Sequence, residues 1–412
     1  MEKYTPRYLV MVTAVANHNK YYKQIPNGDG TWTAEYGRVG SSCQRRTYPM
    51  SQWDKKYNEK INKGYVDQTG LVEDLIVEKK PKEVSKYREI EDKVIAEIVE
   101  RLQAMARKTI SENYTISSDR VTQAMVDEAQ GILADLVDIK DLESFNETLL
   151  KLFTTIPRKM SNVSSYLAHS DADFPDIIKH EQDLLDVMQG QVIQHVAEDD
   201  INEMSNLEEG GVAPTETILE ALGLEFSPCD DEDIVTIKKL LGSCSGNFRN
   251  AWRVTNKKTQ KKFDEYCREE KIKVRKLLWH GSRNENWWSI INTGLVLKPT
   301  NAVITGKMFG YGIYFAPKAR KSMGYTSLSG SRWAKGNSKS AFMALMDVAY
   351  GKPYDVYSYG GSYGSFNKEA LRRADPEANC LHAHAGSMLV NDEIIFYDER
   401  QMTIKYLVEI GE

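Results

Sequence analysis

The sequence predicts a multidomain α+β protein that comprises a small β-rich domain, an all-α helical bundle and a mixed α+β domain with largely antiparallel sheets. Three patterns support this prediction. Short apolar segments separated by glycine turns fill residues 1–75, apolar residues recur every three or four positions over residues 84–205, and short β-rich segments return over residues 225–412. A chain of 412 residues exceeds the size of one ordinary core and suggests two to four domains, and the three patterns favour three.

The β-rich domain contains a hairpin signal. Two strand-like runs, residues 21–25 and 31–36, are separated by Pro-Asn-Gly-Asp-Gly. Asn-Gly and Asp-Gly readily adopt the positive φ angles that tight turns require, so this segment predicts a β-hairpin. Apolar residues at helical spacing over residues 50–61 predict one helix beside a small twisted sheet.

The segment of residues 84–205 is poor in glycine and proline and has helical periodicity. Further helices are predicted at residues 141–153 and 181–195, so we expect a bundle whose helices pack one face inward. The apolar positions of the first two predicted helices are Val94, Ile98, Leu102 and Met105, followed by Val121, Met125, Ala129, Ile132, Leu133 and Leu136.

The charge of the chain is unevenly distributed. The formal net charge is −5, yet residues 1–72 contain 11 Lys and Arg against 6 Asp and Glu, which leaves −10 for the remainder. A basic segment at one end is where a polyanion would bind. An unevenly charged solvated surface has the same composition, so this alternative stays open.

Cysteine usage and hydropathy indicate the cellular setting. The five cysteines are scattered and show no C-x-x-C spacing, which argues against a disulfide framework or a zinc knuckle. The sequence shows neither a signal-peptide pattern nor an apolar run of the roughly 20 residues that a membrane helix needs. We therefore expect an intracellular protein with no membrane partner, in the nucleus of a eukaryote or in the cytoplasm or nucleoid of a bacterium.

Two motifs join polar side chains to glycine-rich backbone inside apolar runs. Residues 277–283 are Leu-Leu-Trp-His-Gly-Ser-Arg, and residues 306–316 are Gly-Lys-Met-Phe-Gly-Tyr-Gly-Ile-Tyr-Phe-Ala. The apolar residues up to Trp279 predict the end of a buried strand, so His280 and Gly281 would emerge where the strand opens into a turn. Such positions commonly bind ligands.

With Ser322, Tyr325 and Glu393, these motifs resemble the catalytic domain of the poly(ADP-ribose) polymerase family. The signature of that family is a His, a Tyr and a Glu on separate strands around a nicotinamide site. The β-rich domain resembles a WGR domain, the nucleic-acid-sensing module of several family members, although Tyr36 replaces the signature Trp. Residues 84–205 resemble the helical regulatory domain of the same family. The resemblance thus implies a WGR-like domain, a helical domain and an ADP-ribosyltransferase domain.

The resemblance implies roles for individual residues. His280 would hydrogen-bond the ribose next to the nicotinamide, Gly281 would offer its backbone to the carboxamide, Ser322 would donate to the carboxamide oxygen, and Tyr314 and Tyr325 would stack on the ring. The implied catalytic residues are Glu393, His280 and Tyr314; the implied NAD-binding residues are His280, Gly281, Ser282, Arg283, Tyr314, Ser322 and Tyr325; the implied acceptor and elongation residues are Met308 and Lys321.

Each of these residues also has a plain structural interpretation. A single His at a strand end is commonly structural, Tyr314 is typical of a core aromatic residue, and Glu393 would ordinarily be a solvated carboxylate. Their joint occurrence in one order favours function. The run from Cys380 to His384 places potential metal ligands at alternate positions, but no fourth ligand follows at a suitable spacing, so we expect NAD as substrate and no metal.

The WGR resemblance implies a nucleic-acid surface. Its basic residues would contact phosphates and its aromatic residues would stack on exposed bases, with little sequence preference. The alternative is a basic β-domain that binds protein. The implied nucleic-acid-binding residues are Tyr36, Gly37, Arg38, Lys20, Lys23, Arg45, Arg46 and Trp32.

The family resemblance implies a DNA-break-stimulated, NAD-dependent ADP-ribosyltransferase that builds poly(ADP-ribose). The expected partners are DNA ends or nicks, acceptor proteins including the enzyme itself, and an accessory protein that completes the site; we expect a monomer. Two alternatives stay open: a mono-ADP-ribosyltransferase, and a non-enzymatic protein that binds DNA ends or ADP-ribose. The latter is disfavoured because His280, Tyr314 and Glu393 are all present.

Overall fold

The computed structural model of the protein describes residues 4–71, 87–114, 121–206, 216–298, 308–329, 338–386 and 389–411. The chain forms two compact units. One combines Met1–Ser85 with Arg107–Val192, and the other combines Lys86–Ala106 with Ile193–Glu412. The predicted helical segment 84–205 thus contributes residues to both units, and the domain boundaries stated above stay a prediction.

The first unit contains a five-stranded antiparallel sheet in the order β4-β3-β2-β1-β5. The predicted hairpin is confirmed: Ile25 lies opposite Thr33, and Gly28 and Gly30 in the turn have φ angles of 78° and 84°. The elements are β1 (Arg7–Thr13), β2 (His18–Pro26), β3 (Thr31–Arg38), β4 (Gln44–Pro49), α1 (Trp53–Ile61) and β5 (Val66–Asp67).

Over residues 87–114 and 121–206, the structure has four longer helices, and polar side chains fix where two of them begin. Thr122 caps one by accepting a hydrogen bond from the Met125 amide at 3.2 Å, and Asp141 caps the next by accepting from Ser144 at 2.8 Å. The helix predicted at residues 181–195 begins earlier, at Phe174. The helices are α2 (Lys93–Asn113), α3 (Gln123–Asp138), α4 (Leu142–Thr155) and α5 (Phe174–Asn206), and α2 and α5 contribute residues to both units.

The second unit has a mixed α+β fold with largely antiparallel sheets, as predicted. One sheet has the strand order β6-β7-β14-β10-β8, and the other has the order β11-β12-β13-β9, in which only β11 and β12 pair in parallel. The strands are β6 (Leu224–Pro228), β7 (Phe248–Asn256), β8 (Lys276–Gly281), β9 (Ile313–Phe315), β10 (Ser340–Val348), β11 (Pro353–Val356), β12 (Cys380–Ala383), β13 (Glu393–Phe396) and β14 (Met402–Gly411).

Short helices cover this unit, and its core lies between them and the sheets. Ile237 and Leu241 pack with Met343 and Leu345 of β10 in one buried cluster. Within the ranges described, no helix is long and apolar enough to cross a lipid bilayer. The helices are α6 (Ile218–Leu222), α7 (Asp231–Leu241), α8 (Lys257–Glu269), α9 (Trp287–Thr293), α10 (Ala319–Met323) and α11 (Lys368–Ala374).

Candidate active site

Within the described part of the second unit, a main-chain bridge connects the two sheets. The Trp279 amide donates to the Ala316 carbonyl at 2.9 Å, and the Ala316 amide donates back at 3.1 Å. The bridge joins the end of β8 to the end of β9, so it brings His280 close to Tyr314. The strand-end position predicted for His280 is therefore a junction between sheets.

His280 is held by a main-chain hydrogen bond across this junction. Its Nδ1 lies 3.3 Å from the Tyr314 carbonyl oxygen. Because a carbonyl oxygen only accepts, Nδ1 carries the proton and Nε2 of the neutral ring is an acceptor. Burial lowers the pKa of His280 to about 4, and the hydrogen bond to Tyr314 opposes this shift only in part. His280 is thus uncharged at neutral pH.

Gly281 allows a close approach of two backbone segments. A Cβ atom at this position would overlap the Ser322 carbonyl oxygen and lie 2.8 Å from the carbonyl carbon. The family resemblance implied that the Gly281 backbone contacts a ligand, which a residue without Cβ would allow. The structure gives a different reason, because the α10 backbone already occupies that space.

The Ser322 hydroxyl is committed to the protein itself. It is buried and donates to the Trp279 carbonyl oxygen at 3.1 Å. Its single proton is therefore not aimed at a ligand, in contrast to the predicted donation to a carboxamide. The hydroxyl would have to rotate away from Trp279 to make that contact, whereas its oxygen can still accept.

Ser282 and Arg283 stabilise the turn that follows β8. The Ser282 hydroxyl accepts from the Asn286 side chain at 3.1 Å. The Arg283 guanidinium donates to the carbonyl oxygens of Thr326 at 3.2 Å and Ser329 at 2.7 Å. Arg283 thereby holds the chain just after Tyr325, so its direct role is to position this segment.

The two tyrosines differ in their surroundings. The Tyr314 hydroxyl donates to the Gly310 carbonyl at 3.1 Å and accepts from the Phe309 amide at 3.3 Å, which fixes the ring on β9. Tyr325 is 44% exposed. Burial raises the pKa of the Tyr325 hydroxyl, and the negative charge of Glu393 raises it further.

Glu393 opens β13 and pairs with a basic residue from α10. Its carboxylate forms an ion pair with Lys321 Nζ, and the two side chains are 13% and 18% exposed. Main-chain pairing places Glu393 opposite Ala383 on β12, while Ile395 two residues later lies opposite Tyr314 on β9. The half-buried Met308 packs on the cluster that contains Ile395. The predicted acceptor residue Lys321 thus contacts the predicted catalytic carboxylate directly.

Sequence reasoning missed Asn284 as an organising residue. It is buried, and its side chain donates to the Ser340 carbonyl at 3.1 Å and accepts from the Phe342 amide at 3.2 Å. These bonds attach the turn after Ser282 to β10. No motif distinguishes Asn284 in the sequence, because its partners are 56 and 58 residues away.

The structure contradicts the predicted nucleic-acid contact of Trp32 and gives Arg38 a structural role. Trp32 is fully buried, stacks on Tyr48 with ring centroids 4.9 Å apart and donates to the Pro49 carbonyl at 3.2 Å, so it cannot stack on a base. The Arg38 guanidinium donates to the Asn17 carbonyl at 2.9 Å and to the Ser161 carbonyl at 2.8 Å. These hydrogen bonds give Arg38 a structural role, because they join the sheet to the segment after α4.

The other residues of the predicted nucleic-acid surface differ in exposure and in their contacts. Glu35 pairs with Arg45 at 2.8 Å and lies 3.7 Å from Lys23, so it partly neutralises both. Arg46 is exposed and lies 5.1 Å from the Tyr48 ring centroid. Tyr36 is half-buried and stacks on Tyr22, which leaves less of its ring free to stack on a base. Gly37 lies opposite Tyr21 in the sheet, and the half-buried Lys20 lies opposite Arg38.

Comparison with known proteins identifies the second unit. The profile of the poly(ADP-ribose) polymerase catalytic domain matches residues 243–411, which include His280, Tyr314 and Glu393. Uncharacterized protein 101L of Invertebrate iridescent virus 6 is 33% identical over 202 residues, which are 48% of this chain and 82% of that protein. The putative poly [ADP-ribose] polymerase-like 100L of the same virus is 33% identical over 159 residues, 37% of this chain and 80% of that protein.

A plant relative matches over a longer stretch of this chain. Poly [ADP-ribose] polymerase 1 of Arabidopsis thaliana is 25% identical over 288 residues, which are 63% of this chain and 27% of the plant protein. The match thus spans about a quarter of the plant protein. The catalytic-domain match, the plant relative and the viral polymerase-like protein 100L, which is covered over 80% of its length, together show that the chain belongs to the poly(ADP-ribose) polymerase family and contains the NAD ADP-ribosyltransferase domain of that family.

Proposed function

We propose that the protein is a DNA-break-stimulated poly(ADP-ribose) polymerase, which transfers ADP-ribose from NAD to protein side chains and to growing ADP-ribose chains and releases nicotinamide. The observation that carries this proposal is the ion pair of Lys321 with Glu393. The pair joins the proposed catalytic carboxylate to the proposed acceptor-binding cation at the start of β13, the strand that pairs with the Tyr314 strand.

The Glu393 carboxylate supplies the charge that the reaction needs. Cleavage of the glycosidic bond of NAD passes through an oxocarbenium-like ribose. A fixed negative charge beside that cation stabilises the transition state, and its effect is larger where the site excludes water. Glu393 meets both conditions, because its side chain is 13% exposed and strand pairing fixes its backbone.

His280 and the aromatic rings would orient the substrate. Among the residues that the structure describes, His280 Nε2 has no hydrogen-bond partner, so it is available to accept from a ribose hydroxyl. The exposed Tyr325 and the fixed Tyr314 would stack on the nicotinamide ring. Ser322 would rotate from Trp279 to donate to the carboxamide, and Gly281 would offer its backbone. In this proposal, these residues together contact the ribose, the nicotinamide ring and the carboxamide of NAD.

Chain elongation is favoured over single transfer by the position of Lys321. An ammonium group has three donors, so binding Glu393 leaves others for the hydroxyl of an incoming acceptor. Met308 packs beside the β9 and β13 cluster and would line the same approach. These two residues support the polymerase proposal, and mono-ADP-ribosylation is the alternative outcome.

DNA would bind the sheet of the first unit through its exposed basic edge. Arg45 and Arg46 lie on β4, the edge strand, with exposed side chains. Contacts of this type go to phosphates and carry no sequence information. Arg46 carries no ion pair among the described residues, whereas Arg45 is paired with Glu35, so we propose Arg46 as the stronger phosphate ligand.

We infer that the helical segment restrains the NAD site until DNA binds. In the first unit, the Asn19 side chain donates to the Arg158 carbonyl at 2.8 Å, beside the Arg38 bonds, so the sheet is attached to the chain after α4. In the second unit, Arg101 of α2 pairs with Glu409 at 2.7 Å and bonds Ser340 at 2.7 Å. Since α2 contributes to both units, it is the proposed route of the coupling.

The remaining partners follow from this activity. The proposed acceptors are proteins, including the enzyme itself, and an accessory protein would complete the site for some acceptors. Because the proposed stimulus is broken DNA, the proposed location is the compartment that holds DNA.

The test is incubation of the purified chain with labelled NAD, with and without a nicked duplex, followed by a denaturing gel. The proposal predicts a DNA-dependent smear of high mass. A discrete labelled band would favour single transfer, and a smear of equal intensity without DNA would contradict the restraint. No label under either condition would favour the protein that only binds DNA ends or ADP-ribose.

The DNA surface is tested by Arg46→Ala, with fluorescence anisotropy on the same duplex. Removal of one phosphate contact should weaken binding and reduce the slope of log affinity against log salt by about 1. The matched control is Lys140→Ala, which removes an exposed charge from the turn between α3 and α4. Equal effects of the two variants would contradict the proposed surface.

A further inference from the structure

We propose that Asp355, His382 and His384, together with Asp392, bind a divalent transition-metal ion of the Zn²⁺ type at a site separate from the NAD-binding residues. One ligand atom from each of the first three residues lies within 4.8 Å of the others. The sequence showed Cys380, His382 and His384 at alternate positions but no fourth ligand at a suitable spacing. The fold supplies the carboxylates from other strands.

Strand pairing explains why these residues meet. The parallel pairing of β11 with β12 places Asp355 opposite His382, although 27 residues separate them in the chain. His384 follows His382 by two residues, so both side chains lie on one face of the strand. Asp392 immediately precedes β13, the next strand of the sheet. Three neighbouring strand segments therefore contribute ligands.

The carboxylates already contact the imidazole nitrogens. Asp392 Oδ2 lies 3.1 Å from His382 Nε2, and Asp355 Oδ1 lies 2.7 Å from His384 Nε2. Each carboxylate also lies near the other histidine: Asp355 Oδ1 is 3.9 Å from His382 Nδ1, and Asp392 Oδ2 is 4.0 Å from His384 Nδ1. Ligand atoms around a tetrahedral Zn²⁺ are about 3.3 Å apart, so side-chain rotations would close the site.

Neighbouring groups hold the ligands in place. The Tyr350 hydroxyl lies 2.8 Å from His382 Nδ1 and fixes that ring, and the Asp392 Oδ1 atom accepts from the Ala385 amide at 2.9 Å. The His384 ring stacks on Tyr357 with centroids 4.4 Å apart. Ligands oriented by such outer contacts are typical of protein metal sites.

The donor set selects the class of ion. Two imidazoles with carboxylates suit Zn²⁺ and its transition-metal neighbours, whereas Mg²⁺ and Ca²⁺ prefer oxygen ligands throughout. The site is also accessible, because the side chains of His384 and Asp355 are 23% and 42% exposed. An ion could therefore enter from solvent and complete its coordination with water.

The ion would stabilise the strand end that carries Glu393. Asp392 is the residue before Glu393, and Ala383, between the two histidines, lies opposite Glu393 in the sheet. Adjacent residues on a strand point to opposite faces. Asp392 therefore turns to the metal ligands while Glu393 turns to Lys321. The ion would fix the Glu393 backbone without touching the reacting groups.

The test is titration of the EDTA-treated full chain with ZnCl₂ by calorimetry, followed by CoCl₂ substitution and visible absorption. We expect one ion per chain and a Co²⁺ spectrum of nitrogen and oxygen ligands without thiolate charge-transfer bands. The absence of zinc binding would overturn the proposal. Thiolate bands would also overturn it, because they would assign the ion to cysteines.

Variants locate the ion. The double variant His382→Gln and His384→Gln should bind zinc at least about 100-fold more weakly, and Asp355→Asn, at a more exposed ligand, about tenfold more weakly. The matched control is His169→Gln, an exposed histidine of the first unit, which should retain wild-type affinity. Wild-type affinity in both the double variant and Asp355→Asn would overturn the site. Asp355→Asn keeps the assay informative if the double variant fails to fold.

Discussion

Lys321 and Glu393 form an ion pair although 72 residues separate them in the chain. The pair joins α10, which follows the Tyr314 strand, to the first residue of β13. Both side chains are largely buried, so the pair is screened by water much less than a surface pair. The proposed catalytic carboxylate is thus held from two directions, by Lys321 and by the sheet.

Loss of the cation should separate elongation from NAD cleavage. Lys321→Gln removes the proposed acceptor donor, and one charge-assisted hydrogen bond is worth about 1.5–3 kcal/mol, so chain elongation should fall about 10- to 100-fold. Cleavage of NAD by water should fall less, because Glu393 remains. Polymer length on gels and nicotinamide release measure the two steps. Equal losses in both would contradict the assigned role, and Lys318→Gln on the preceding loop is the control.

Gly281 should not accept a side chain. Gly281→Ala forces its Cβ against the Ser322 carbonyl, and overpacking of this kind costs about 1–3 kcal/mol of stability. The free energy of unfolding in urea measures this loss. Gly361→Ala is the control, since a Cβ there has open space. Wild-type stability of Gly281→Ala would show that the α10 backbone is not fixed as described.

Acid should destabilise the second unit through His280. Its folded pKa of about 4 lies below the unfolded value near 6.5, so the unfolded chain gains a proton first as the pH falls. Stability is unaffected by this group above pH 6.5 and is lost progressively between pH 6.5 and 4. From pH 7 to pH 5 the loss is about 2 kcal/mol.

His280→Gln removes this titrating group and should reduce the acid loss by that amount. Urea unfolding of the wild type and of His280→Gln at pH 7 and pH 5 measures the difference. An unchanged pH dependence in His280→Gln would mean that His280 is not buried in neutral form.

The first unit depends on a buried ion pair between Arg158 and Glu181. Their side chains are 2% and 6% exposed, and Tyr166 lies over the guanidinium at 4.9 Å. Glu181→Ala leaves the arginine buried and unpaired, so this unit should lose about 3–5 kcal/mol. Glu143→Ala, in the exposed first turn of α4, should cost much less. Thermal unfolding measures the stability of both variants, and equal losses of stability would contradict the stabilising role of the Arg158–Glu181 ion pair.

Local patterns predicted much of the fold because they act over a few residues. The hairpin around Gly28 followed from turn chemistry, and the strand end at His280 followed from the apolar run before it. Trp32 was wrongly predicted to contact nucleic acid, because the residue type does not show whether an aromatic side chain faces the core or the solvent. The structural role of Arg38 was not predicted, because its carbonyl partner Ser161 is 123 residues away.

Contacts between distant strands were beyond local reasoning. The sequence showed that Lys321 and Glu393 were candidates but not that they form an ion pair. Asp355 and His382 meet only because β11 and β12 pair in parallel, a relationship that spacing along the chain does not reveal. The start of α5 at Phe174 was missed as well, and the stacking of its ring on Phe145, with centroids 3.8 Å apart, joins residues that are distant in the chain.

The rate of nicotinamide release by Glu393→Gln tests whether Glu393 is the catalytic carboxylate. Removal of the carboxylate charge, with the shape retained, should lower the rate about 10²- to 10³-fold, as loss of one preorganised transition-state contact does elsewhere. Glu369→Gln, an exposed residue of α11, should keep the wild-type rate. A wild-type rate in Glu393→Gln, with the protein folded, would contradict the assignment of Glu393 as the catalytic carboxylate.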